Sequence, residues 1–137
     1  MRLNLITLAI MIAGVVWACL HASSVAWDGV RIAGVAIAAV ALVLVVIARI
    51  QLGAAFSVQA KATKLVTTGL YSRIRNPIYV FAEFFLVGAA MVTGQWKILW
   101  FPVVAIPIQI MRARKEAQVL AEAFGEEYAR YRAQTWF

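Results

Sequence analysis

The side chains of this sequence that could do chemistry fall in three places. The first is the stretch from Lys64 to Tyr79, which combines basic residues with two tyrosines and an Asn-Pro pair. The second is Arg112 with Glu116, four residues apart, and the third is Glu83, an acid inside an apolar run. Histidine and cysteine each occur once, which excludes a multi-histidine metal site and an internal disulfide. We predict no metal site.

The pair Asn76-Pro77 predicts the start of a helix, since Asn is a favoured N-cap and Pro fits the first helical turn. A helix that begins there presents free backbone N–H groups and a positive dipole end. With Arg75 beside it, this end would attract an anionic group such as a carboxylate. The alternative is that Asn76-Pro77 only starts a membrane helix and Arg75 only anchors it.

Arg112 and Glu116 share one helix face, because residues four apart are neighbours on a helix. They could bind ligands, or they could form a plain surface ion pair. Glu83 has two interpretations as well. An acid within hydrocarbon usually faces a cavity or a partner and is a functional candidate, whereas near the interface it would simply be hydrated.

These residues must be positioned by membrane helices. Of the 137 residues, 64% are hydrophobic and 14% are charged, more apolar surface than a small soluble domain could bury. The net charge of +7 does not indicate nucleic-acid binding, because the charges lie in short gaps between apolar runs. The apolar runs are Leu3–Leu20, Ile32–Ala48, Ile78–Thr93 and Ile98–Met111. The sequence therefore predicts an all-α integral membrane bundle of about four transmembrane helices, the last two forming a tight hairpin.

The tail after Met111 has a different character. Leu120, Phe124, Tyr128 and Tyr131 recur three or four residues apart, with charged residues between them. This period predicts a C-terminal cytoplasmic amphipathic helix, which Gly125 interrupts.

The basic residues predict the orientation. Eleven of the thirteen fall on one side: Arg2, five in the gap after the second apolar run, and five in the tail. Only Arg31 and Lys97 fall on the other side. We therefore expect a multi-pass protein of the cytoplasmic or inner membrane, with both termini in the cytoplasm.

Three blocks of residues follow one another in the C-terminal two-thirds of the chain. The first is Leu65-Val66, Gly69 and Tyr71; the second is Arg75-Asn76-Pro77-Ile78-Tyr79; the third is Glu116, Leu120, Phe124-Gly125, Glu127-Tyr128 and Tyr131. In this order, with two apolar runs between the second and third blocks, the sequence resembles the isoprenylcysteine carboxyl methyltransferase and phospholipid methyltransferase superfamily. Residues 1–50 match that family only as apolar helices.

The resemblance implies a methyltransferase that uses S-adenosylmethionine without a Rossmann domain, and the sequence has no Gly-x-Gly-x-x-Gly motif. It implies that Arg112 and Glu116 are the catalytic residues, with Arg112 holding the substrate. The implied cofactor-binding residues are Gln59, Thr63, Lys64, Leu65, Val66, Tyr71, Arg75, Asn76, Pro77, Ile78, Tyr79 and Glu116. The whole chain, 1–137, is then one methyltransferase domain, in which residues 1–50 supply two membrane helices and residues 51–137 the cofactor-binding loop, hairpin and tail.

Asn76 departs from the family, because many members carry His at that position. Asn cannot act as an acid or base near neutral pH, which places any proton transfer there in doubt. The implied acceptor is a lipid-like molecule in the bilayer, either an isoprenylcysteine-like carboxylate or a phospholipid headgroup. The alternative function is a small four-helix, proton-coupled transporter that uses Glu83, although it leaves the 65–79 stretch and the tail unexplained.

Overall fold

The computed structural model describes residues 12–14, 16, 26–53 and 65–137. Three long helices, α1 (Gly29–Leu52), α2 (Pro77–Thr93) and α3 (Trp100–Gln134), account for most of these residues. Two short 3-10 helices, Gly69–Ser72 and Trp96–Leu99, lie before α2 and before α3. Within the described ranges the regular structure is helical, apart from an isolated parallel bridge between Ile74 and Trp136.

The first apolar run, Leu3–Leu20, lies mostly outside the described residues, and its described positions 12–14 and 16 are helical. The second run forms α1, which extends a few residues beyond it at each end. Asp28 caps this helix, because its carboxylate accepts a hydrogen bond of 2.9 Å from the Arg31 backbone N–H. With 24 residues, α1 is about 36 Å long.

Close packing joins α1 to α2 in an antiparallel pair. Gly34 lies against Gly88 and Met91, while Ala41 and Val45 near the other end of α1 form a cluster with Phe85. At Gly88 an added Cβ would lie 2.7 Å from both the Ala38 nitrogen and the Gly34 carbonyl oxygen. The two backbones approach this closely only because both glycines lack a side chain.

Large apolar side chains cover the outward faces of α1 and α3. On α1 they are Val30, Ile32, Val35, Val40, Val43, Val46, Ile47 and Ile50. On α3 they are Trp100, Phe101, Val103, Val104, Ile106, Ile108 and Met111. Such a surface is unfavourable in water and suits hydrocarbon. By length and composition, two described helices, α1 and the segment Trp96–Gln134, can cross a membrane.

The fourth apolar run continues without a turn into the first part of the tail, up to Gly125, whereas the sequence predicted a separate amphipathic helix for the tail. Gly125 still breaks the geometry, since its φ of 48° and ψ of −120° lie outside the helical region. From Trp100 to the break at Gly125, α3 is about 37 Å long, which exceeds a hydrocarbon core of ~30 Å. The charged half after Met111 continues the same helical path, and no turn separates it from the apolar half.

The chain reverses direction between α2 and α3. Gly94 ends α2 in the left-handed conformation, with a φ of 66°, and the 3-10 helix Trp96–Leu99 leads into α3. Beyond this reversal α2 and α3 touch at few points. The tight hairpin and the count of four spanning helices therefore stay predictions.

Candidate active site

The loop before α2 is fastened to the end of α1. Gln51 in the last turn of α1 accepts a 2.8 Å hydrogen bond from the Leu70 backbone N–H through its side-chain oxygen. The Gln51 amide lies where a Cβ of residue 69 would stand, and Gly69 has a φ of 62°. Glycine meets both requirements, because it has no Cβ and adopts positive φ without strain. The 3-10 helix Gly69–Ser72 is thereby held against α1.

The end of the tail pairs with the same loop through backbone hydrogen bonds. The Trp136 N–H donates to the Arg73 oxygen at 3.0 Å, and the Arg75 N–H donates to the Trp136 and Phe137 oxygens at 3.2 and 2.9 Å. The Asn76 N–H donates to the Phe137 oxygen at 3.0 Å. The Arg75 and Asn76 N–H groups, which directly precede α2, are therefore already used within the chain. An anionic ligand at this end of α2 would depend on other groups.

Tyr131 of α3 makes a second connection between tail and loop. Its buried hydroxyl donates a 2.8 Å hydrogen bond to the carbonyl oxygen of Tyr71. Burial raises the pKa of Tyr131 to about 12, with the neighbouring Tyr128 acting in the same direction and Arg75 opposing it. Burial is also the main cause that raises the pKa of Tyr71. Both phenols therefore stay protonated and neutral at physiological pH.

Tyr131→Phe is expected to destabilise the protein by about 1–3 kcal/mol, because it leaves the buried Tyr71 carbonyl without its donor. Reversible unfolding in mixed micelles, followed by circular dichroism, measures the change. Tyr128→Phe is the matched control, since Tyr128 is also buried and lies beside Tyr131 at a ring-centroid distance of 6.1 Å. Equal losses of free energy in the two variants would contradict the role of the Tyr131 hydroxyl.

Four of the residues singled out from the sequence lie close together, where α2 begins and where the apolar half of α3 ends. The Tyr79 side chain of α2 lies close to the Glu116 carboxyl of α3. Arg112, one turn before Glu116, attracts that carboxylate and also lies close to Tyr79. The Tyr71 phenol from the loop lies within electrostatic range of Glu116 and Tyr79. We refer to Tyr71, Tyr79, Arg112 and Glu116 as the polar cluster.

The charge state of Glu116 is set by opposing influences. Burial is the larger and raises the pKa of its carboxyl, while the Arg112 guanidinium and the Tyr79 hydroxyl lower it. A half-buried carboxyl flanked by two tyrosines is suited to a cationic ligand, because an acid and aromatic faces both attract positive charge. Arg112 in the same cluster is suited to an anionic or strongly polar group.

Other predicted site residues lie around this cluster or apart from it. Asn76 precedes α2 as expected, but its side chain makes no capping hydrogen bond. The Arg75 side chain turns to the tail and donates to the Arg132 carbonyl oxygen at 3.4 Å. Pro77 is fully buried, and Ile78 packs against the α1–α2 core. The structure therefore gives Pro77 and Ile78 packing roles and does not bring them into the polar cluster.

Leu65 and Val66 are half-buried at the start of the described loop. The predicted residues Gln59, Thr63 and Lys64 lie outside the described residues. Two contributors were missed by the sequence argument. Gln51 holds the loop, and Arg49 in the last turn of α1 lies close enough to Tyr71 to lower its pKa. Both are polar residues at the end of an otherwise apolar helix, and this pattern could have identified them from the sequence.

Comparison with protein families connects this geometry to a known group. A family model described as phospholipid methyltransferase matches residues 30–127, which include α1, the loop, α2 and most of α3. Comparisons with the curated proteins and with the solved structures find no match. The matched range covers more than half of the chain and contains the whole polar cluster, so the resemblance noted from the sequence is confirmed. The chain belongs to the phospholipid methyltransferase family.

Proposed function

We propose that this protein transfers a methyl group from S-adenosylmethionine to a phospholipid-like acceptor in the membrane. The observation that carries the proposal is the polar cluster, which joins a carboxyl, a guanidinium and two tyrosines where the apolar half of α3 ends. A cofactor that approaches from the aqueous side and an acceptor that lies in the bilayer could both reach this point. The family match supports methyl transfer as the reaction.

The cluster fits the chemistry of the cofactor. S-adenosylmethionine supplies a methyl group on a sulfonium, together with an amino-acid end. Glu116 would bind the positive charge of the cofactor, and the rings of Tyr71 and Tyr79 would offer it their electron-rich faces. Arg112 would hold the polar headgroup of the acceptor on the opposite side of the methyl group.

The reaction is an in-line displacement. The acceptor nucleophile forms a bond to the methyl carbon while the carbon–sulfur bond breaks and its electron pair stays on sulfur. A carboxylate acceptor becomes an ester with no proton to lose, whereas an ammonium acceptor must first release a proton to water. Neither Asn76 nor the neutral tyrosines are bases at neutral pH. Positioning therefore supplies most of the rate enhancement in this proposal.

The family favours a phospholipid headgroup as the acceptor, and an isoprenylcysteine-like carboxylate is the alternative within the same chemistry. The transporter hypothesis receives no support. The family match spans the loop and most of the tail, which that hypothesis left unexplained. Glu83, on which it depended, is hydrogen-bonded to Gln109.

The proposed orientation places both termini and the polar cluster in the cytoplasm. A fluorescent reporter that folds only in the cytoplasm is expected to be active when it is fused at Phe137. A phosphatase reporter that is active only outside should be silent there and active when inserted after Gln95, in the turn between α2 and α3. The reverse pattern would overturn the orientation and the side from which the cofactor enters.

Calorimetry of the purified protein with S-adenosylhomocysteine tests the proposed function. S-adenosylhomocysteine is what remains of the cofactor after methyl transfer and keeps its adenosine and amino-acid parts, so micromolar binding is the expected result. Purified protein in lipid nanodiscs should also transfer a radioactive methyl group to phosphatidylethanolamine or to a farnesylcysteine analogue. A folded sample that does not bind S-adenosylhomocysteine would overturn the proposal.

A further inference from the structure

A hydrogen bond between two polar side chains crosses the apolar seam between α2 and α3. The Gln109 side-chain amide donates to the Oε1 atom of Glu83 at 2.7 Å. The other oxygen, Oε2, is buried and has no hydrogen-bond partner. In hydrocarbon such groups are retained where they pair or act, and here they pair across two helices that otherwise touch at few points.

The register of the two helices places this bond next to the polar cluster. On α2, Glu83 follows Tyr79 by four residues, and on α3, Gln109 precedes Arg112 by three. Residues three or four apart lie on the same face of a helix. The Glu83–Gln109 bond therefore lies one turn from Tyr79 along α2 and about one turn from Arg112 along α3, on the same seam as the polar cluster.

Among the described residues, the remaining packing constrains the apolar half of α3 only weakly. α2 is held along its length by α1, and the far end of α3 is held to the loop through Tyr131 and Trp136. In the apolar half of α3 the large side chains face outward, so packing with the described helices does little to fix the rotation of this half. A directional hydrogen bond can fix it, because its geometry depends on the angle at which the two helices meet.

We propose that Glu83 and Gln109 are positioning residues that form a latch between α2 and α3. The latch sets the rotation of α3 so that Arg112 faces the acceptor beside Tyr79. This inference rests on the proposed methyl transfer. We expect the latch to affect the acceptor more than the cofactor, because Glu116 is also positioned by Tyr79 and by the hydrogen bonds that hold the end of the chain to the loop.

The test uses four variants of the full chain in nanodiscs: Glu83→Leu, Gln109→Leu, the double leucine variant, and the exchange Glu83→Gln with Gln109→Glu. Three quantities are measured: the unfolding midpoint, affinity for S-adenosylhomocysteine, and kcat with S-adenosylmethionine and whichever lipid acceptor the wild type methylates. Phe84→Leu is the control, because Phe84 neighbours Glu83 on α2 but is exposed on the outer surface.

Each single leucine variant is expected to lose at least about tenfold in kcat, while its affinity for S-adenosylhomocysteine changes less than about threefold. The double leucine variant should regain stability, because neither polar group is left unpaired, yet its kcat should stay low. The exchange variant should recover kcat, since an amide and a carboxyl again face each other. Phe84→Leu should behave as the wild type does.

Two results would overturn the latch. One is a double leucine variant whose kcat returns together with its stability, which is the signature of a purely structural pair. The other is a normal kcat in both single variants of a wild type that is active. A wild type that binds no S-adenosylhomocysteine and methylates no lipid is a different failure, because it removes the proposed function before any variant is compared.

Discussion

Glu116→Gln is expected to weaken the binding of S-adenosylhomocysteine by about 1.5–3 kcal/mol, the range of a hydrogen bond that involves a charged group. This corresponds to a loss of roughly 10–150-fold in affinity. The physical reason is that the half-buried Glu116 carboxyl, held by Tyr79 and facing Arg112, would hold the cationic amino-acid end. An amide keeps the shape and removes the charge. Calorimetry on the purified variant measures the change.

Arg112→Ala is the companion variant and should have a different effect. Cofactor affinity should stay largely intact while turnover falls, because the proposed partner of Arg112 is the acceptor. If the two residues form only an exposed ion pair, both changes are mild, since such pairs contribute about 0.3–0.5 kcal/mol. The double variant completes a double-mutant cycle, which measures the interaction energy between Arg112 and Glu116. If Glu116→Gln binds S-adenosylhomocysteine with nearly the affinity of the wild type, Arg112 and Glu116 form only a surface ion pair.

Gly88→Ala is expected to destabilise the protein by about 1–3 kcal/mol, the usual range when a methyl group is forced into a packed contact. The added Cβ would stand 2.7 Å from the backbone of α1, which cannot rotate out of the way as a side chain can. The helices must separate, and Tyr79 on α2 then moves relative to the loop. Unfolding in mixed micelles reports the loss of stability, and a lower kcat reports the displacement.

Gly29→Ala is the matched control for this prediction. Gly29 also lies in a helix, at the start of α1, but an added Cβ there meets nothing within 4 Å. Since Ala is the better helix former, stability should be unchanged or slightly higher. An equal effect of the two substitutions would show that helix propensity, and not the contact between α1 and α2, decides the result.

Local chemistry in the sequence was sufficient for the position of α1, the start of α2 and the break in the tail. Asn76-Pro77 placed the start of α2, and the charge-free run Ile32–Ala48 lies within α1. Gly125 was correctly predicted as the break in the tail. These features depend on neighbours along the chain, which is why a single sequence reveals them. The three ordered motif blocks were also sufficient to indicate the family.

The sequence determined the polar cluster only in part. Tyr71, Tyr79, Arg112 and Glu116 were identified by type and motif, and the structure brings them together. Pro77 and Ile78 were placed in the site by motif as well; they pack into the core, and their contact with the cofactor stays a prediction. A motif preserves the order of residues along the chain, but it does not distinguish the residue that touches a ligand from its neighbour that supports the helix.

Only the tertiary structure decided which polar groups pair across the molecule. The bonds from Gln109 to Glu83, from Leu70 to Gln51 and from Tyr131 to Tyr71 join residues 19–60 positions apart. The close approach of Gly34 to Gly88 is equally distant in sequence. A helix that is apolar on every side has no polar face to indicate its rotation, so periodicity carries no information about which residues face a neighbouring helix. That rotation is fixed by the fit of small residues and by a few hydrogen bonds, which exist only once the helices have met.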